Sequence, residues 1–358
     1  PTPDYTPRIG LFELKENGKI DLVKEILLKD RDGKVISGLP NTGDLGGTGE
    51  TPYTVDGKPI LVDMNKPFDK TSNPLKLDMY GLDSEGLVAL SDGTFWISDE
   101  YGPHMVHYDA NGKEIGRINA FPKDSRNTHF LPLEFGNRRA NRGMEGLAIT
   151  PDEKTLVGIM QSTMYNPSKK VKKLDITRIV TVNLESGKIS QYLYRQEKAQ
   201  NSNSEIVAVG PTEFLVIERD GKFIKDTPNP MKRVYKIDLS TGTDLETIPS
   251  EEDLVVQDVE LGLTINGNTL EQIVLLGGWD LLMSYGIKPV SKTLVVDMVK
   301  EVGYPHDKME GLWVMANGQL GVLNDDDFAT WSTKGKLHQK MLDSNTVDGN
   351  TLYIVDMK

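Results

Sequence analysis

The sequence contains no cysteine. That absence excludes thiolate catalysis, zinc–cysteine sites, iron–sulfur clusters and disulfide bonds. No run of about 18 apolar residues occurs, so a membrane span is not expected. Positive charge is also in deficit, because 41 lysines and arginines stand against 53 aspartates and glutamates, giving a net charge of −12. Phosphate backbones would be repelled, so nucleic acid is not expected as a partner, whereas cations suit this surface.

Turn-forming residues are abundant in the 358-residue chain, which has 34 glycines and 19 prolines. Turn pairs such as Asn111-Gly112 and Asn317-Gly318 separate short runs of β-branched and aromatic residues. Such runs lie at 94–98, 179–182, 214–217 and 273–276. Consecutive hairpins give this pattern, so the sequence predicts an all-β fold.

Three tryptophans and two irregular stretches complete this first interpretation. Trp96, Trp279 and Trp313 lie inside strand patterns, so they are expected in the core. The stretches 63–79 and 121–141 follow neither period and are expected to be long surface loops.

An internal repeat determines the predicted architecture. Four segments align, each with a glutamate at the start of one apolar run and a polar residue at the end of the next. The glutamates are Glu85, Glu145, Glu205 and Glu310, spaced by 60, 60 and 105 residues. The last step is interpreted as two units, with a degenerate unit at 258–280. Repeats of roughly 50–60 residues, each with about four short strands, predict a β-propeller.

The expected architecture is a single propeller domain over 1–358 with six four-stranded antiparallel blades, and seven blades are the alternative. The N-terminal strand and the run at 351–355 are expected to share one blade and so close the ring. The approximate blade boundaries are 1–81, 82–142, 143–202, 203–256, 257–307 and 308–358.

Carboxylates are predicted to gather at one mouth of the propeller channel. The first strand of each blade begins, and the second strand ends, at the same mouth, because the two strands are antiparallel. The glutamates of the repeat begin first strands. The predicted ligands at the ends of second strands are Asp99, Glu100, Glu218 and Asp325, and Asp280 would join them from the degenerate unit.

Like charges gathered in this way repel one another unless a cation joins them. A hard divalent cation bound by oxygen ligands is therefore predicted; Ca²⁺ suits a large carboxylate ring best, and other divalent metals remain open. The five histidines show no metal-binding spacing, which argues against a softer metal. The alternative is architectural: the glutamates bond neighbouring backbone N–H groups, and the glycines after them permit tight packing.

Three further residues are candidates for catalysis. Arg142 and Arg219 stand beside the repeated carboxylates and could hold a phosphate in a bidentate grip; the alternative is a salt bridge to a neighbouring glutamate. His104 is a candidate general acid or base, with a packing role as its alternative. No P-loop and no Gly-x-Ser-x-Gly elbow occurs in the sequence.

At these motifs the chain resembles the "esterase-like activity of phytase" family, the phytase-like bacterial propellers. The resemblance covers roughly residues 35–330, and its motifs occur in the expected order. They are Asp83-Ser84-Glu85-Gly86-Leu87 with Trp96-Ile97-Ser98-Asp99-Glu100-Tyr101-Gly102-Pro103, Asn141-Arg142-Gly143-Met144-Glu145-Gly146-Leu147-Ala148 with Met160-Gln161-Ser162, Glu218-Arg219-Asp220, and Glu310-Gly311-Leu312 with Asn324-Asp325-Asp326-Asp327-Phe328.

The resemblance implies a propeller related to calcium-dependent phytases and calcium-containing alkaline phosphatases, with members that are typically exported. Two departures stand out: Gln161 replaces a carboxylate at the end of a second strand, and the first unit has no clear Glu-Gly-Leu. These departures leave a complete and an incomplete ring of ligands as alternatives.

The predicted function is a metal-dependent phosphoric-ester hydrolase acting on a small molecule. One alternative is a calcium-dependent carboxylic-ester or lactone hydrolase, and the other is a non-catalytic binding propeller stabilised by metal. The chain begins at Pro1 without an initiator methionine, which is interpreted as a mature end from which any signal peptide has been removed. An exported monomer, periplasmic or extracellular, is expected.

Overall fold

The computed structural model describes residues 2–3, 5–252, 254–333 and 336–357. Strands hold about 41% of the chain and helices about 11%, which confirms the all-β class. The strands are β1 (Thr2–Pro3), β2 (Arg8–Leu14), β3 (Ile20–Leu27), β4 (Pro52–Tyr53), β5 (Ser84–Ala89), β6 (Phe95–Asp99), β7 (His104–Tyr108), β8 (Glu114–Asn119), β9 (Asn127–Phe130), β10 (Met144–Ile149), β11 (Thr155–Met160), β12 (Ile176–Asn183), β13 (Ile189–Arg195), β14 (Ser202–Ala208), β15 (Glu213–Arg219), β16 (Lys232–Asp238), β17 (Val255–Asp258), β18 (Gly262–Ile265), β19 (Asn268–Thr269), β20 (Ser291–Asp297), β21 (Gly311–Val314), β22 (Gln319–Leu323), β23 (Thr330–Thr333), β24 (Lys336–Gln339) and β25 (Leu352–Asp356).

Helical structure is confined to short segments. The α-helices are α1 (Leu270–Ser284) and α2 (Met298–Val302). Single 3₁₀ turns lie at Gly43–Leu45, Leu133–Asn137, Lys169–Val171, Leu239–Thr241, Leu245–Thr247 and Asp327–Ala329.

Four sheets carry the repeated glutamate motifs. The first runs β5-β6-β7-β8-β9, the second β10-β11-β12-β13, the third β14-β15-β16-β20 and the fourth β21-β22-β25. Their pairs are antiparallel except β8 with β9. Strand β10 packs against both β5 and β14, and β14 packs against β21. The strands that follow the glutamates are therefore neighbours at the centre of the molecule, as the repeat predicts.

Apolar layers between successive sheets hold the arrangement together. Val88 and Met144 belong to the layer between the first and second sheets. Val157 and Val216 belong to the layer between the second and third, and a further layer joins the third to the fourth. Full burial of each such aliphatic side chain contributes about 1.5–3 kcal/mol, so the inter-sheet layers fix how the central strands approach one another.

The prediction of a strand at 273–276 is wrong, because this run lies in helix α1. Thr269 caps the helix: its hydroxyl accepts the Gln272 N–H at 3.3 Å, and the Gln272 side chain accepts the Thr269 N–H at 2.9 Å. This capping box starts a helix in an apolar run that strand propensity alone would also fit. Asp280 consequently lies on α1 and not at a strand end. The third sheet takes its fourth strand, β20, from beyond this helix.

The predicted closure of the ring is not present in the described part of the chain. Strand β25 pairs with β22, whereas β1 pairs with β4 and β2 with β3. The β2–β3 segment instead contributes Ile9 and Leu28 to a cluster with the outer part of the first sheet. The number of blades therefore stays a prediction.

The tryptophans separate into three environments. Trp96 is buried in β6, as predicted. Trp279 is buried too, but on helix α1 and not on a strand. Trp313 lies in β21 yet is 53% exposed, so the prediction that it belongs to the core is wrong. The stretches 63–79 and 121–141 consist mainly of turns, with only β9 and one 3₁₀ turn in the second.

Candidate metal centre

The glutamate–glycine repeat lies at a bulge near the start of the inner strands. The pairing register shifts between Ser84 and Leu87 in β5 and again between Met144 and Gly146 in β10. A bulge re-aims the side chains it contains. A Cβ at Gly86 would lie 2.5 Å from the Leu147 N, so the following residue must be glycine for neighbouring inner strands to approach. The repeat therefore marks the positions where the sheets meet.

Three carboxylates converge beside this bulge. Asp83, Glu85 and Glu100 each offer an oxygen atom, and these atoms lie within 4.8 Å of one another. The pairing of β5 with β6 brings them together, and the Glu100 N–H donates to the Asp83 carbonyl oxygen at 3.0 Å. We call these three residues the carboxylate triad. Glu85 and Glu100 were predicted as ligands, whereas Asp83 was not.

Burial and mutual repulsion raise the pKa values of all three carboxyls of the triad. Burial, together with the charge of Asp99, raises the pKa of Asp83 to about 7. Burial and Asp83 raise the pKa of Glu100 to about 8. Burial and then Glu145 raise the pKa of Glu85 well above its usual value. Like charges out of water hold protons that a bound divalent cation would displace.

Glu145 extends the carboxylate triad into the second sheet. The Gln161 Nε2 donates to the Glu100 Oε1 and to the Glu145 Oε1, both at 2.6 Å, so one amide links the two glutamates. Burial, followed by Glu100, raises the pKa of Glu145 well above its usual value. The Glu145 Oε2 is buried and has no hydrogen-bond partner among the described residues. An unpartnered buried carboxylate oxygen beside a triad of carboxylates fits a cation ligand.

Glu310 and Arg219 form the opposite, cationic side of the site. The Arg219 Nη2 donates to the Glu310 Oε1, and the Arg219 Nε donates to the Ser204 Oγ at 3.1 Å. Burial opposes its charge, but Glu310 and Glu145 raise the pKa of Arg219 above its usual value. The predicted alternative for Arg219, a salt bridge, is therefore present. The Glu310 Oε2 remains buried without a partner in the described structure.

Arg142 also faces this side. Its Nη1 donates to the Ser202 Oγ at 3.0 Å, and Glu100 and Glu145 are close enough to favour its charge. Burial, with Arg139 and Arg219, lowers the pKa of Arg142 from its usual value. Arg142 and Arg219 thus lie close to each other on this side of the site.

Lys308 is a site residue that the sequence interpretation missed. Its Nζ lies 2.9 Å from the Asp325 Oδ2 and 2.6 Å from the Asp327 Oδ1. Burial by itself would raise the pKa of Asp325, but the charge of Lys308 lowers that pKa to about 2. Asp325, a predicted metal ligand, is therefore held as an anion by this lysine. Asp83 and Lys308 each stand two residues before a glutamate of the repeat, a spacing that would have identified both.

Glu205 does not follow the pattern of Glu85 and Glu145. Its Oε1 accepts the N–H groups of Ile206 at 2.9 Å and Leu147 at 3.1 Å, so it fastens β14 to β10. Burial raises the pKa of Glu205 to about 8. These contacts favour the architectural alternative for Glu205 over the predicted metal ligand.

Glu218 and Asp99 also have other partners. Glu218 alternates with Arg219 along β15 and has other partners, accepting from the Tyr194 hydroxyl at 2.7 Å and the Lys292 Nζ at 2.9 Å. The Asp99 Oδ1 accepts the N–H groups of Asp83 at 3.0 Å and Tyr101 at 3.1 Å. Asp99 thus holds the backbone N–H groups of Asp83 and Tyr101, whereas Glu218 lies outside the carboxylate triad.

His104 is completely buried, with its ring against Phe121 at a centroid distance of 5.6 Å. Burial, then the charge of Arg117, lowers the pKa of His104 well below its usual value. A neutral imidazole without exposed surface does not reach a substrate, so the packing alternative accounts for His104 better than the predicted acid–base role.

The sequence profile of the "esterase-like activity of phytase" family matches residues 4–328. The chain belongs to this phytase-like family. An "uncharacterized secreted protein" of Arthroderma benhamiae is 27% identical to the phytase-like chain in a match 276 residues long, which covers 63% of this chain and 51% of that protein. The chain thus matches about half the length of this curated relative.

Two solved structures are more distantly similar. A Bacteroides caccae protein of unknown function has a TM-score of 0.32 and 12% identity, covering 78% of this chain and 64% of that one. A catalytically inactive virginiamycin B lyase from Staphylococcus aureus, solved with Quinupristin, has a TM-score of 0.34 and 12% identity, covering 99% and 96%. Scores this low carry no argument about fold or function. Within the described residues, no helix is long and apolar enough to cross a membrane.

Proposed function

We propose that this phytase-like chain is a metal-dependent phosphoric-ester hydrolase centred on the carboxylate triad. One observation carries the proposal: the three clustered carboxylates adjoin two arginines, Arg142 and Arg219, at the same mouth. Anionic oxygens suit a hard cation, and guanidinium groups suit the oxygens of a phosphate. Family membership supports a hydrolase of phosphoesters or related esters.

The metal would be held by Asp83, Glu85 and Glu100, with Glu145 as the nearest further carboxylate. Ca²⁺ fits this donor set best because it accepts six to eight oxygen ligands in flexible geometry, and another divalent cation is the alternative. A cation bound there would supply Lewis-acid polarisation of a phosphoryl oxygen and would activate a water molecule.

The residues of the chain position the substrate and balance its charge. Arg142 would hold one phosphate oxygen, and Arg219 would exchange its bond to Glu310 for a second one. Gln161 keeps Glu100 and Glu145 at a fixed separation through its bonds to both. The positive charge of Lys308 favours the ionised forms of Asp83 and Glu100.

The proposal is tested by removing one ligand at a time. Asp83→Asn and Glu85→Gln keep the shape of each side chain but remove its charge, so both calcium content and p-nitrophenyl phosphate turnover should fall together. Asp56→Asn is the matched control, because within the described residues the exposed Asp56 pairs only with its near neighbours Lys58 and Thr54. Unchanged metal content and unchanged turnover in both triad variants would overturn the proposal.

A carboxylic-ester or lactone hydrolase is the second candidate, and one observation favours it. Arg219 is already neutralised by Glu310 in the described structure, and a neutral ester needs no guanidinium. Turnover of a neutral ester with no turnover of a phosphate monoester would select this candidate. Calcium binding without turnover of either class would select the non-catalytic alternative.

We also propose that the chain acts outside the cytosol, on a small molecule. The support is the relative from Arthroderma benhamiae, which is named a secreted protein. Fractionation of the native host, with detection of the chain in extracellular or periplasmic material, tests this assignment; recovery only with cytosolic markers would contradict it.

A further inference from the structure

A short, strongly basic run interrupts the acidic surface of this chain. Lys169, Lys170, Lys172 and Lys173 are all exposed, although the chain as a whole carries a net charge of −12. In the part of the chain that the structure describes, none of these four lysines is paired with a carboxylate. Val171, between them, is buried and fixes the run to the molecule. The lysines therefore form a local positive patch without a protein partner.

This patch adjoins a pocket of about 390 Å³, which is within the size range of small-molecule sites. Its lining includes the cationic side chains of Lys173 and Arg195, the carboxylates of Asp175 and Asp280, the apolar side chains of Leu174 and Val274, and the indole of Trp279. The pocket thus combines cationic groups with an apolar wall.

A break in helix α1 opens the pocket. Gly278 has φ 71° and ψ −170°, a conformation that only glycine adopts readily, and a Cβ there would meet nothing within 4 Å. Beyond the break, the Trp279 Nε1 donates to the Asp175 Oδ1 at 2.9 Å, which holds the indole against the pocket. The break and this hydrogen bond therefore both lie in the lining of the pocket.

Apart from the exposed carboxylate of Asp280, the polar side-chain groups left for a ligand are donors. The acceptor Asp175 already receives the Trp279 N–H, and the Arg195 Nε approaches its Oδ2 at 3.4 Å. The Arg195 guanidinium lies over the indole, 5.6 Å from the ring centroid, and its terminal nitrogens make no hydrogen bond within the described structure. A ligand at this place meets the free N–H groups of Arg195 and the ammonium of Lys173, which select for negative charge.

The pocket lies on the same side of the molecule as the candidate metal centre. Strand β12 begins and β13 ends at the edge of the second sheet where β11 ends, just before Gln161. Two strand spacings separate β11 from β13, a distance of about 10 Å. The two sites are thus separate and share one face.

We propose that this pocket is a second binding site, which takes a small organic anion. Arg195 and Lys173 bind its oxyanion head group, a phosphate, sulfate or carboxylate, and Val274, Leu174 and Trp279 contact its apolar body. The remaining lysines of the run draw the anion to the pocket by long-range attraction. The site does not depend on the proposed hydrolase activity, because no residue of the carboxylate triad takes part.

The test is a calorimetric titration of the full chain, with EDTA present throughout so that the metal centre does not contribute. The probes are phenyl phosphate, benzoate and inorganic phosphate. Phenyl phosphate should bind at least about fivefold more tightly than inorganic phosphate, because its ring buries apolar surface. Affinity should fall severalfold when salt is raised from low to about 1 M, because exposed charges are screened. Benzoate distinguishes a preference for phosphate from a general oxyanion site.

Variants assign the binding to the pocket. The double substitution of Lys172 and Lys173 by glutamine should weaken phenyl phosphate binding about fivefold, and Arg195→Gln about tenfold or more. Lys24→Gln, an exposed lysine on β3, is the matched control and should leave binding unchanged. The lysine double variant alters only exposed side chains, so it keeps the test valid if Arg195→Gln disturbs the indole.

Two results would overturn the proposal. One is the absence of any phenyl phosphate binding up to about 10 mM, far weaker than specific small-molecule sites. The other is binding that survives both pocket variants and is lost in Arg142→Gln, which would place the anion at the metal centre. Equal affinity for phenyl phosphate and inorganic phosphate would show that the apolar side chains do not contribute to binding. That result would contradict the proposed class of ligand.

Discussion

The carboxylate triad predicts an unusual dependence of stability on pH in the metal-free protein. Burial and neighbouring charge raise the pKa of Asp83 from 3.8 to about 7 and that of Glu100 from 4.5 to about 8. A group with a raised folded-state pKa binds more protons in the folded than in the unfolded chain. The contribution of these carboxyls to the free energy of unfolding therefore falls as pH rises from about 4 to about 8 and is constant above that range.

The size of this effect follows from the separation of the two pKa values. For one carboxyl the slope is at most ~1.4 kcal/mol per pH unit. Between 3.8 and about 7, Asp83 alone accounts for an upper figure of ~4 kcal/mol. Asp83, Glu85 and Glu100 repel one another, so they titrate as a group and their contributions to the free energy of unfolding are shared. The upper figure therefore applies to whichever of these carboxyls ionises first.

The assay is urea unfolding of the EDTA-treated protein at steps between pH 5 and pH 8, compared with Asp83→Asn. Asparagine cannot ionise, so the wild type should lose stability relative to this variant as pH rises. The comparison cancels the shared groups that do not interact with Asp83, His104 among them. Calcium at 100 times its dissociation constant should restore about 2.7 kcal/mol to the wild type, and much less to the variant.

Two results would refute this reasoning. The first is a wild-type protein whose stability relative to Asp83→Asn is independent of pH between 5 and 8. The second is an equal gain from calcium in both proteins, which would place the cation away from Asp83.

Three further predictions concern single side chains. Gly146→Ala places a Cβ 2.6 Å from the Ile206 N and should destabilise the fold by about 1–3 kcal/mol in urea unfolding, whereas Gly221→Ala, with open space around it, should be near neutral; equal effects would contradict the packing account. Gln161→Leu removes the amide that links Glu100 and Glu145 and should weaken calcium binding about 10–100-fold in competition with a chelator, and an unchanged affinity would count against its positioning role. Arg219→Ala should lower kcat/KM for p-nitrophenyl phosphate about 100-fold and spare a neutral ester, and parallel losses on both substrates would point to a folding defect, which unfolding measurements would detect.

The arrangement of the central strands could be predicted from the sequence because one local pattern repeats. A glutamate followed by glycine marks the bulge where an inner strand meets its neighbour, and the contacts of Gly86 and Gly146 show why no larger residue fits. Glu85, Glu100 and Glu145, which the same pattern predicts to lie together, are neighbours in the structure. Asp83 and Lys308 each precede a repeated glutamate by two residues, so the same pattern could have identified them. They were missed because the prediction considered only the glutamates.

Other features depend on contacts that a repeat does not encode. Glu205 has the repeated sequence position, yet the bulge in β14 turns it towards the backbone of Leu147. Glu218 and Arg219 are successive residues of β15, so only one of them can point towards the carboxylate triad. The hydrophobic pattern of the sequence does not show which of the two it is. The run at 273–276 is apolar enough for a strand, and the capping box at Thr269 decides for a helix.

The central claim is a divalent cation at the carboxylate triad that supports hydrolysis. Its most direct test is metal analysis by mass spectrometry of the chain purified without chelator, paired with p-nitrophenyl phosphate turnover before and after EDTA. The account predicts bound calcium in the wild type, loss of turnover on chelation, and recovery on adding calcium back. Protein free of metal that gains neither stability nor turnover from added calcium would contradict it and leave the repeated glutamates as elements of architecture.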